Sequence, residues 1–253
     1  MTNLLILFLI ALAVTSVGWK RFIYFVSTGY GYCVAVLAVA IGVMRHVNLT
    51  LPTTLLLVLL FIFGVRLGTF LLVRERRSTT YREHLESTVS EKKPVGVMFA
   101  VWPLCSILYV LQVSPLLFRL ENQGIQVSET WVWIGASLTL CGILLEAVSD
   151  AQKSAAKRRD PKRFVDTGLY RLVRCPNYLG EIVVWTGVFL SGIGAGFLWW
   201  QWFMAALGYI SIVFVMLSGA RRLGLHQNKT YGNDPEYQAY VKNTPILIPF
   251  LPI

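Results

Sequence analysis

A chain of 253 residues is long enough for one or two soluble domains, but its composition excludes that class. Apolar residues make up 55% of the chain and charged residues 14%, and the mean hydropathy is +0.60, which is typical of a polytopic membrane protein. The net charge of +10 would suit a nucleic-acid-binding protein, but the basic residues cluster between apolar runs, so membrane lipids rather than nucleic acid are expected as partners.

Seven apolar segments follow one another along the chain, and each is long enough, or nearly so, to cross a bilayer as a helix. They predict an all-α integral membrane protein, a bundle of seven transmembrane helices that forms a single membrane domain over residues 1–253. Glycines at 192, 194 and 196 predict a tight hairpin between the last two helices. The predicted spans are residues 3–19, 22–44, 51–73, 95–118, 131–149, 178–197 and 199–219.

Lysine and arginine are distributed unequally between alternate connections, and this asymmetry predicts the orientation of the bundle. The connections after helices one, three and five and the C-terminal tail together carry twenty basic residues. The connections after helices two and four carry only Arg45 and Arg119. The N-terminus is therefore predicted to lie outside and the C-terminus in the cytoplasm, in a bacterial inner membrane or its endoplasmic reticulum equivalent. An active site is expected to open to the cytoplasm.

Polar residues inside predicted spans are costly and usually functional. Gln112 interrupts helix four, where either an interhelical hydrogen bond or a ligand explains it. Glu146 and Asp150 lie four residues apart at the end of helix five, so they share one helical face. Asp150 alone is also explained by a helix end at the membrane interface.

A second polar group lies where a basic segment runs into helix six. Glu181 opens this helix together with Arg174, Asn177 and Tyr178 at close spacing. These four side chains can line one pocket, in which the carboxylate and the amide bind neutral polar groups and the arginine binds an anion.

A basic run, Lys157-Arg158-Arg159 with Lys162 and Arg163, lies between these two polar groups in the sequence. Attraction to anionic lipid headgroups explains part of it. A ligand that is bound by both polar groups would also meet this run, and a phosphorylated nucleotide would suit that position.

The segment GLYRLVRCPNYLGE, residues 168–181, resembles the signature of the membrane steroid 5α-reductase superfamily, including its bacterial members of the DUF1295 type. The usual form of that signature is G-L-[WFY]-x-x-x-R-H-P-N-Y-x-G-E. Three other segments are similar to the family: LEAVSDAQKSAAKR before the motif, YVLQVSPLL in helix four and the ending YVKNTPILIPF. The resemblance covers roughly residues 60–253.

The resemblance implies NADPH-dependent reduction of a carbon–carbon double bond conjugated to a ketone, typically in a 3-oxo-Δ4 steroid. It implies a substrate-side half in residues 1–120, a cofactor-binding half in residues 131–253, and a protein acid that polarises the carbonyl. A monomer without a metal ion is expected. The predicted NADPH-binding set combines the residues that the resemblance implies with the polar residues described above. It consists of Glu146, Asp150, Lys157, Arg163, Arg174, Asn177, Tyr178, Glu181, Arg222 and His226.

Two departures from the family pattern concern the chemistry. Cys175 stands where the signature has histidine, so any role of that imidazole is absent. No acidic residue precedes Glu75, so the family's carbonyl-binding glutamate in the N-terminal helices has no clear counterpart. Tyr24, Tyr30, Tyr32 and Gln112 could donate to the substrate carbonyl, and the predicted carbonyl-binding set is Gln112, Tyr24 and Tyr30.

A rival interpretation is a membrane methyltransferase of the isoprenylcysteine or phospholipid type, which shares an R-H-P-x-Y-x-G motif and binds S-adenosylmethionine. Those enzymes generally carry a Glu-Glu pair in the C-terminal tail, and the corresponding segment RRLGLHQNKTYGNDPEY has none. A transporter is disfavoured because the chain shows no internal repeat. The sequence therefore favours a reductase.

Overall fold

The computed structural model describes residues 2–77, 94–122 and 128–249, and all regular structure in them is helical. This confirms the prediction of an all-α protein. Short 3-10 helices lie between the longer elements, at Ser16–Trp19, Phe22–Phe25, His46–Asn48 and Gly168–Arg171. The α-helices are α1 (Thr2–Thr15), α2 (Thr28–Met44), α3 (Leu51–Arg77), α4 (Val95–Glu121), α5 (Thr130–Arg159), α6 (Pro176–Leu190), α7 (Trp199–Tyr231) and α8 (Pro235–Asn243).

Six of the described helical segments are long and apolar enough to cross a membrane, so the chain is a multi-pass membrane protein. Of the seven predicted spans, the one that falls short is α6, because its 15 residues span about 22 Å, whereas the hydrocarbon core is about 30 Å thick. The six segments are Thr2–Trp19, Phe22–Met44, Leu51–Arg76, Val95–Glu121, Thr130–Arg159 and Trp199–Tyr231.

The predicted sixth segment, residues 178–197, ends early because the glycine-rich turn already begins at Ser191. Gly194 and Gly196 take positive φ values of 73° and 64°, a left-handed conformation that glycine adopts without strain. The chain then enters α7 at Trp199. The predicted hairpin is therefore present, with a shorter first helix.

Several helices extend past the point where their apolar sequence stops. Helix α5 was predicted to end at residue 149 and continues to Arg159, and α7 was predicted to end at residue 219 and continues to Tyr231. The backbone hydrogen bonds of a helix do not require apolar side chains, so hydropathy marks the end of the membrane span rather than the end of the helix. As a result, Lys157, Arg158 and Arg159 lie on α5, and the Arg222–His226 pair lies on α7.

The chain divides into two compact units. Unit 1 contains residues 1–136 and 188–209, and unit 2 contains residues 137–187 and 210–253. Helices α5, α6 and α7 each contribute residues to both units.

Unit 1 is packed by small residues and by hydrogen bonds between helices, as expected where lipid removes the hydrophobic drive for association. Helices α2 and α3 approach closely at Gly64, where an added methyl group would lie 2.6 Å from the backbone nitrogen of Ala35. Helices α1 and α4 are joined by a 2.9 Å hydrogen bond between the Thr15 and Ser106 hydroxyl groups. The Trp102 indole also donates to the Leu12 carbonyl at 3.0 Å.

Arg119 was predicted to lie in the connection after helix four, but the structure places it inside the last turns of α4 with 1% of its surface exposed. Its guanidinium group donates to the Ser191 carbonyl at 2.8 Å and to the Ser128 carbonyl at 2.7 Å. A buried cation of this kind is tolerable because its donors are satisfied by backbone oxygens. Arg119 thus fastens the turn after α6 and the start of α5 within unit 1.

Candidate functional site

Four charged side chains are buried in unit 2, and the sequence predicted all of them as ligand-binding residues. Glu146 and Asp150 on α5 are 3% and 5% exposed, and Arg174 and Glu181 at the start of α6 are 8% and 6% exposed. Burying a charged side chain costs free energy unless other groups compensate the charge. A cluster of four buried charged side chains is therefore a candidate functional site.

A close crossing of α5 and α6 brings the two carboxylate-bearing segments together. A methyl group at Gly142 would lie 2.6 Å from both the Gly180 carbonyl oxygen and the Val184 backbone nitrogen. A methyl group at Gly180 would lie 2.8 Å from the Glu146 backbone nitrogen and 3.0 Å from its Cβ. Glu146 therefore lies directly beside Gly180, the residue that precedes Glu181.

The start of α6 also packs against α7. A methyl group at Gly219 would lie 3.4 Å from the ring of Tyr178, and one at Gly224 would lie 3.9 Å from the guanidinium group of Arg174. Arg222 and His226 follow Gly219 by three and seven residues, so they share its helical face, and both are exposed. The predicted contacts on α6 and α7 thus lie on adjoining surfaces.

The motif loop before α6 is tied to α5 just beyond Asp150. Gly168 has a φ of +63°, a left-handed conformation that side chains disfavour, and a methyl group there would lie 2.5 Å from the end of the Gln152 side chain. The Gln152 side-chain oxygen accepts from the Leu169 backbone N–H at 2.9 Å, and the Tyr170 hydroxyl group donates to the Ser149 carbonyl at 3.3 Å. The first glycine of the motif is thus explained by the backbone conformation that this loop takes.

The C-terminal tail holds the other side of the motif loop. The backbone N–H groups of Arg174 and Cys175 donate to the carbonyls of Pro245 and Ile246 at 2.9 and 3.0 Å. Leu247 is buried together with Cys175 and Ala220 of α7. Pattern matching found the similarity of this ending to the family but not its role, which is to fix the backbone that carries Arg174.

Asn177 is half-buried at the start of α6, and its side-chain amide makes no hydrogen bond to any residue that the structure describes. An amide offers two N–H donors and one acceptor, so Asn177 retains its full capacity to bind a polar ligand.

The three predicted carbonyl-binding residues lie in unit 1 and differ in their surroundings. Gln112 is 5% exposed, and its amide oxygen has no hydrogen-bond partner among the described residues. Tyr30 is also buried, with its ring 5.0 Å from the ring of Tyr109. Tyr24 instead donates its hydroxyl hydrogen to the Glu75 carboxylate at 3.1 Å.

Glu75 is a residue whose position the sequence analysis missed. It was assigned to the loop after helix three, but it lies in the last turn of α3, is 6% exposed and also pairs with Arg21. An open cleft of about 360 Å³ surrounds this pair and is lined by Lys20, Arg21, Tyr24, Glu75 and Arg76. The ion pair could have been predicted from the sequence, because the predicted topology places Arg21 and Glu75 at the same end of the bundle.

The model of a protein family of unknown function, DUF1295, matches residues 11–244. The chain belongs to the DUF1295 family. This family is the steroid 5α-reductase-like group, so the resemblance is confirmed at that level and reaches further towards the N-terminus than residue 60. No curated protein and no solved structure shows significant similarity to the chain.

Cys175 shows what this DUF1295 protein does with the position at which the signature carries histidine. The thiol is 1% exposed, and burial raises its pKa to about 11, although Lys153 and Arg174 act in the opposite direction. It stays protonated at neutral pH and packs between Ala220 and Leu247. In this DUF1295 chain the residue at that position is therefore part of a buried hydrophobic cluster.

Lys157 and Arg163 remain predicted cofactor ligands, and the structure places their charged groups in protein contacts. The Lys157 ammonium group donates to the carbonyls of Pro161 and Arg163 at 3.1 and 2.5 Å and to the Tyr231 hydroxyl at 3.0 Å. Arg163 pairs with Asp166 at 3.1 Å and with Glu236 at 2.9 Å, and these carboxylates raise its pKa. Both residues thus stabilise the loop that follows α5.

Proposed function

We propose that this protein is an NADPH-dependent reductase, which reduces the carbon–carbon double bond of a 3-oxo-Δ4 steroid or a similar lipophilic enone. The observation that supports this most strongly is the burial of Glu146, Asp150, Arg174 and Glu181 in unit 2, where α5 and α6 cross with Glu146 directly beside Gly180. Arg174 and Glu181 belong to the segment that resembles the reductase signature, and Glu146 and Asp150 belong to the similar segment before it. The chain belongs to the steroid 5α-reductase-like group.

The residues present fit a dinucleotide. Buried carboxylates accept hydrogen bonds from ribose hydroxyl groups and from the carboxamide N–H₂, and Asn177 can donate and accept. Arg174 supplies a buried cation for a phosphate group. When bound, NADPH supplies the hydride, and the protein's residues bind it, orient it and exclude water.

We further propose that the chain crosses the membrane seven times, with α6 and the turn after it as the sixth span, the N-terminus outside and the C-terminus in the cytoplasm. In unit 1, Arg21, which follows the first apolar segment Thr2–Trp19, pairs with Glu75 at the end of α3. Arg45 at the end of α2 donates to the Leu120 carbonyl at the end of α4. This alternation agrees with the orientation predicted from the basic residues, in which the nucleotide-binding residues would face the cytoplasm.

For the substrate carbonyl, the structure favours Gln112 among the three candidates. The Tyr24 hydroxyl hydrogen is already donated to Glu75, and Tyr30 packs against Tyr109. Gln112 has an amide N–H₂ that can donate to a ketone, while its buried oxygen lacks a partner among the described residues. Leaving a buried polar atom unsatisfied costs about 1–3 kcal/mol, a cost that a bound polar ligand would remove.

The purified full-length protein in lipid nanodiscs is expected to oxidise NADPH when a 3-oxo-Δ4 steroid is added. Nicotinamide fluorescence should fall, and mass spectrometry should show a product heavier than the substrate by two hydrogen atoms. The saturated 3-oxo steroid, which lacks the conjugated double bond, is the control and should cause no oxidation. If S-adenosylmethionine protects the protein against thermal unfolding and NADPH does not, the methyltransferase interpretation replaces this one.

Leucine in place of Gln112 is expected to reduce the turnover of the enone about tenfold to a hundredfold, because one hydrogen bond to the carbonyl is lost. NADPH affinity should not change, and the unfolding temperature should stay level or rise because an unsatisfied buried oxygen is removed.

The matched control for Gln112 is Gln201→Leu, which changes another buried glutamine of unit 1. The Gln201 oxygen accepts from Leu198 N–H at 2.9 Å and from the Asn122 amide at 3.0 Å, so this variant should lower the unfolding temperature. Full turnover in Gln112→Leu would remove Gln112 from the site.

A further inference from the structure

The five basic residues between positions 157 and 163 fall into two classes according to their contacts. Lys157 and Arg163 have their charged groups bound to carbonyls, a hydroxyl group and carboxylates of the protein. Arg158, Arg159 and Lys162 are exposed, and no hydrogen bond or ion pair to another described residue engages their side chains. The unengaged cations are therefore the ones available to a ligand.

Helix geometry separates these cations by direction. Each residue of an α-helix turns by about 100°, so Lys157, seven residues after Asp150, lies within about 20° of it around α5. Arg158 is displaced from Asp150 by about 80°, and Arg159 by about 180°. Arg158 thus flanks the face that carries Asp150, and Arg159 points away from it.

The loop after α5 folds back over the same face. Lys157 binds the carbonyls of Pro161 and Arg163, so the intervening residue, Lys162, is held beside it. The Asp160 carboxylate accepts from the backbone N–H groups of Lys162 and Arg163 at 3.0 and 3.2 Å, which fixes the turn. Lys162 therefore lies beside Lys157, on the Asp150 side of the helix, while the Arg158 backbone lies about 12 Å along the helix axis from that of Asp150.

We propose that Arg158 and Lys162 form a subsite for a phosphate monoester, which selects the phosphorylated dinucleotide over its unphosphorylated form, and that Lys157 and Arg163 build the loop that presents it. This proposal rests on the proposed function. A phosphate monoester carries a charge near −2 at neutral pH, and an arginine with a lysine supplies both the planar donor pair and the point charge that such a dianion binds. NADPH and NADH share the diphosphate bridge, and this subsite does not bind it.

The test measures dissociation constants for NADPH and NADH, by nicotinamide fluorescence or calorimetry, with the full-length protein in phosphatidylcholine nanodiscs. Arg158→Gln and Lys162→Gln are each expected to weaken NADPH about fivefold to tenfold and to leave NADH unchanged, because only NADPH carries the monoester. Arg159→Gln is the matched control, since it removes the same charge one residue away on the opposite face. It should leave both constants unchanged.

Several results would overturn the proposal. Equal affinity of the wild-type protein for NADPH and NADH would exclude a subsite that recognises the phosphate monoester. An equal loss of NADPH affinity in Arg158→Gln and Arg159→Gln would indicate a general effect of positive charge rather than a specific contact. If the real ligand is a lipid headgroup, Arg158→Gln would lower the retention of phosphatidylglycerol in mixed nanodiscs and would leave NADPH affinity unchanged. Failure of the wild-type protein to bind either nucleotide would instead reject the proposed function, and this subsite with it.

Discussion

Alanine in place of Gly142 is expected to destabilise the protein by about 3 kcal/mol and to abolish NADPH binding. Its methyl group would lie 2.6 Å from two backbone atoms of α6, the Gly180 oxygen and the Val184 nitrogen, so α5 and α6 must move apart. A side chain can rotate away from such a clash, but a helix backbone cannot. Thermal unfolding in nanodiscs and NADPH titration measure the two effects.

Gly96→Ala is the matched control for this substitution, because a methyl group there would meet no atom within 4 Å. Its position inside α4 means that it should be neutral or slightly stabilising, since alanine is the better helix former. A Gly142→Ala protein with wild-type stability and NADPH affinity would show that the close crossing does not position the candidate site.

Glutamine in place of Glu181 is expected to weaken NADPH binding about tenfold to a hundredfold, because hydrogen bonds to a charged acceptor contribute about 1.5–3 kcal/mol. Glu181 is 6% exposed, so solvent screens such bonds only weakly. The substitution keeps the volume of the side chain, so the unfolding temperature should change little. Fluorescence titration with NADPH gives the affinity, and Asn177→Ala should lower it in the same direction.

Glu129→Gln, which makes the same change at an exposed position of unit 1, should leave the affinity unchanged. Unchanged NADPH affinity in both Glu181→Gln and Asn177→Ala would remove these residues from the cofactor-binding set.

Much of the fold followed from the apolar pattern alone. Hydropathy identified the six long membrane-crossing segments, and the glycines at 192, 194 and 196 identified the turn before α7. The ends of α5 and α7 could not be predicted in this way, because polar residues continue a helix as readily as apolar ones once the chain has left the lipid. Arg119 shows the opposite error, since a basic residue was read as a loop marker and is buried inside α4.

The residues of the candidate site could be predicted from the sequence, but their contacts with one another and with the rest of the protein could not. Charged residues at membrane depth are costly, so Glu146, Asp150 and Glu181 were recognisable from their positions in apolar runs. The sequence did not show which basic residues bind to other parts of the protein. Lys157 and Arg163 have the same charge as Arg158 and differ from it only in their neighbours in the structure. Likewise, nothing local in the sequence paired Tyr24 with Glu75, 51 residues away.

The sequence by itself determined that this is a helical membrane protein of the DUF1295 family, with its polar chemistry concentrated in residues 146–181. Composition and motif spacing are local properties, and they suffice for those statements. Only the tertiary structure decided that Gly142 and Gly180 bring two helices into backbone contact, that the C-terminal tail holds the motif loop, and which cations are left without a protein partner among the described residues. These features depend on contacts between residues far apart in the chain, and a pattern along one segment carries no information about its distant neighbours.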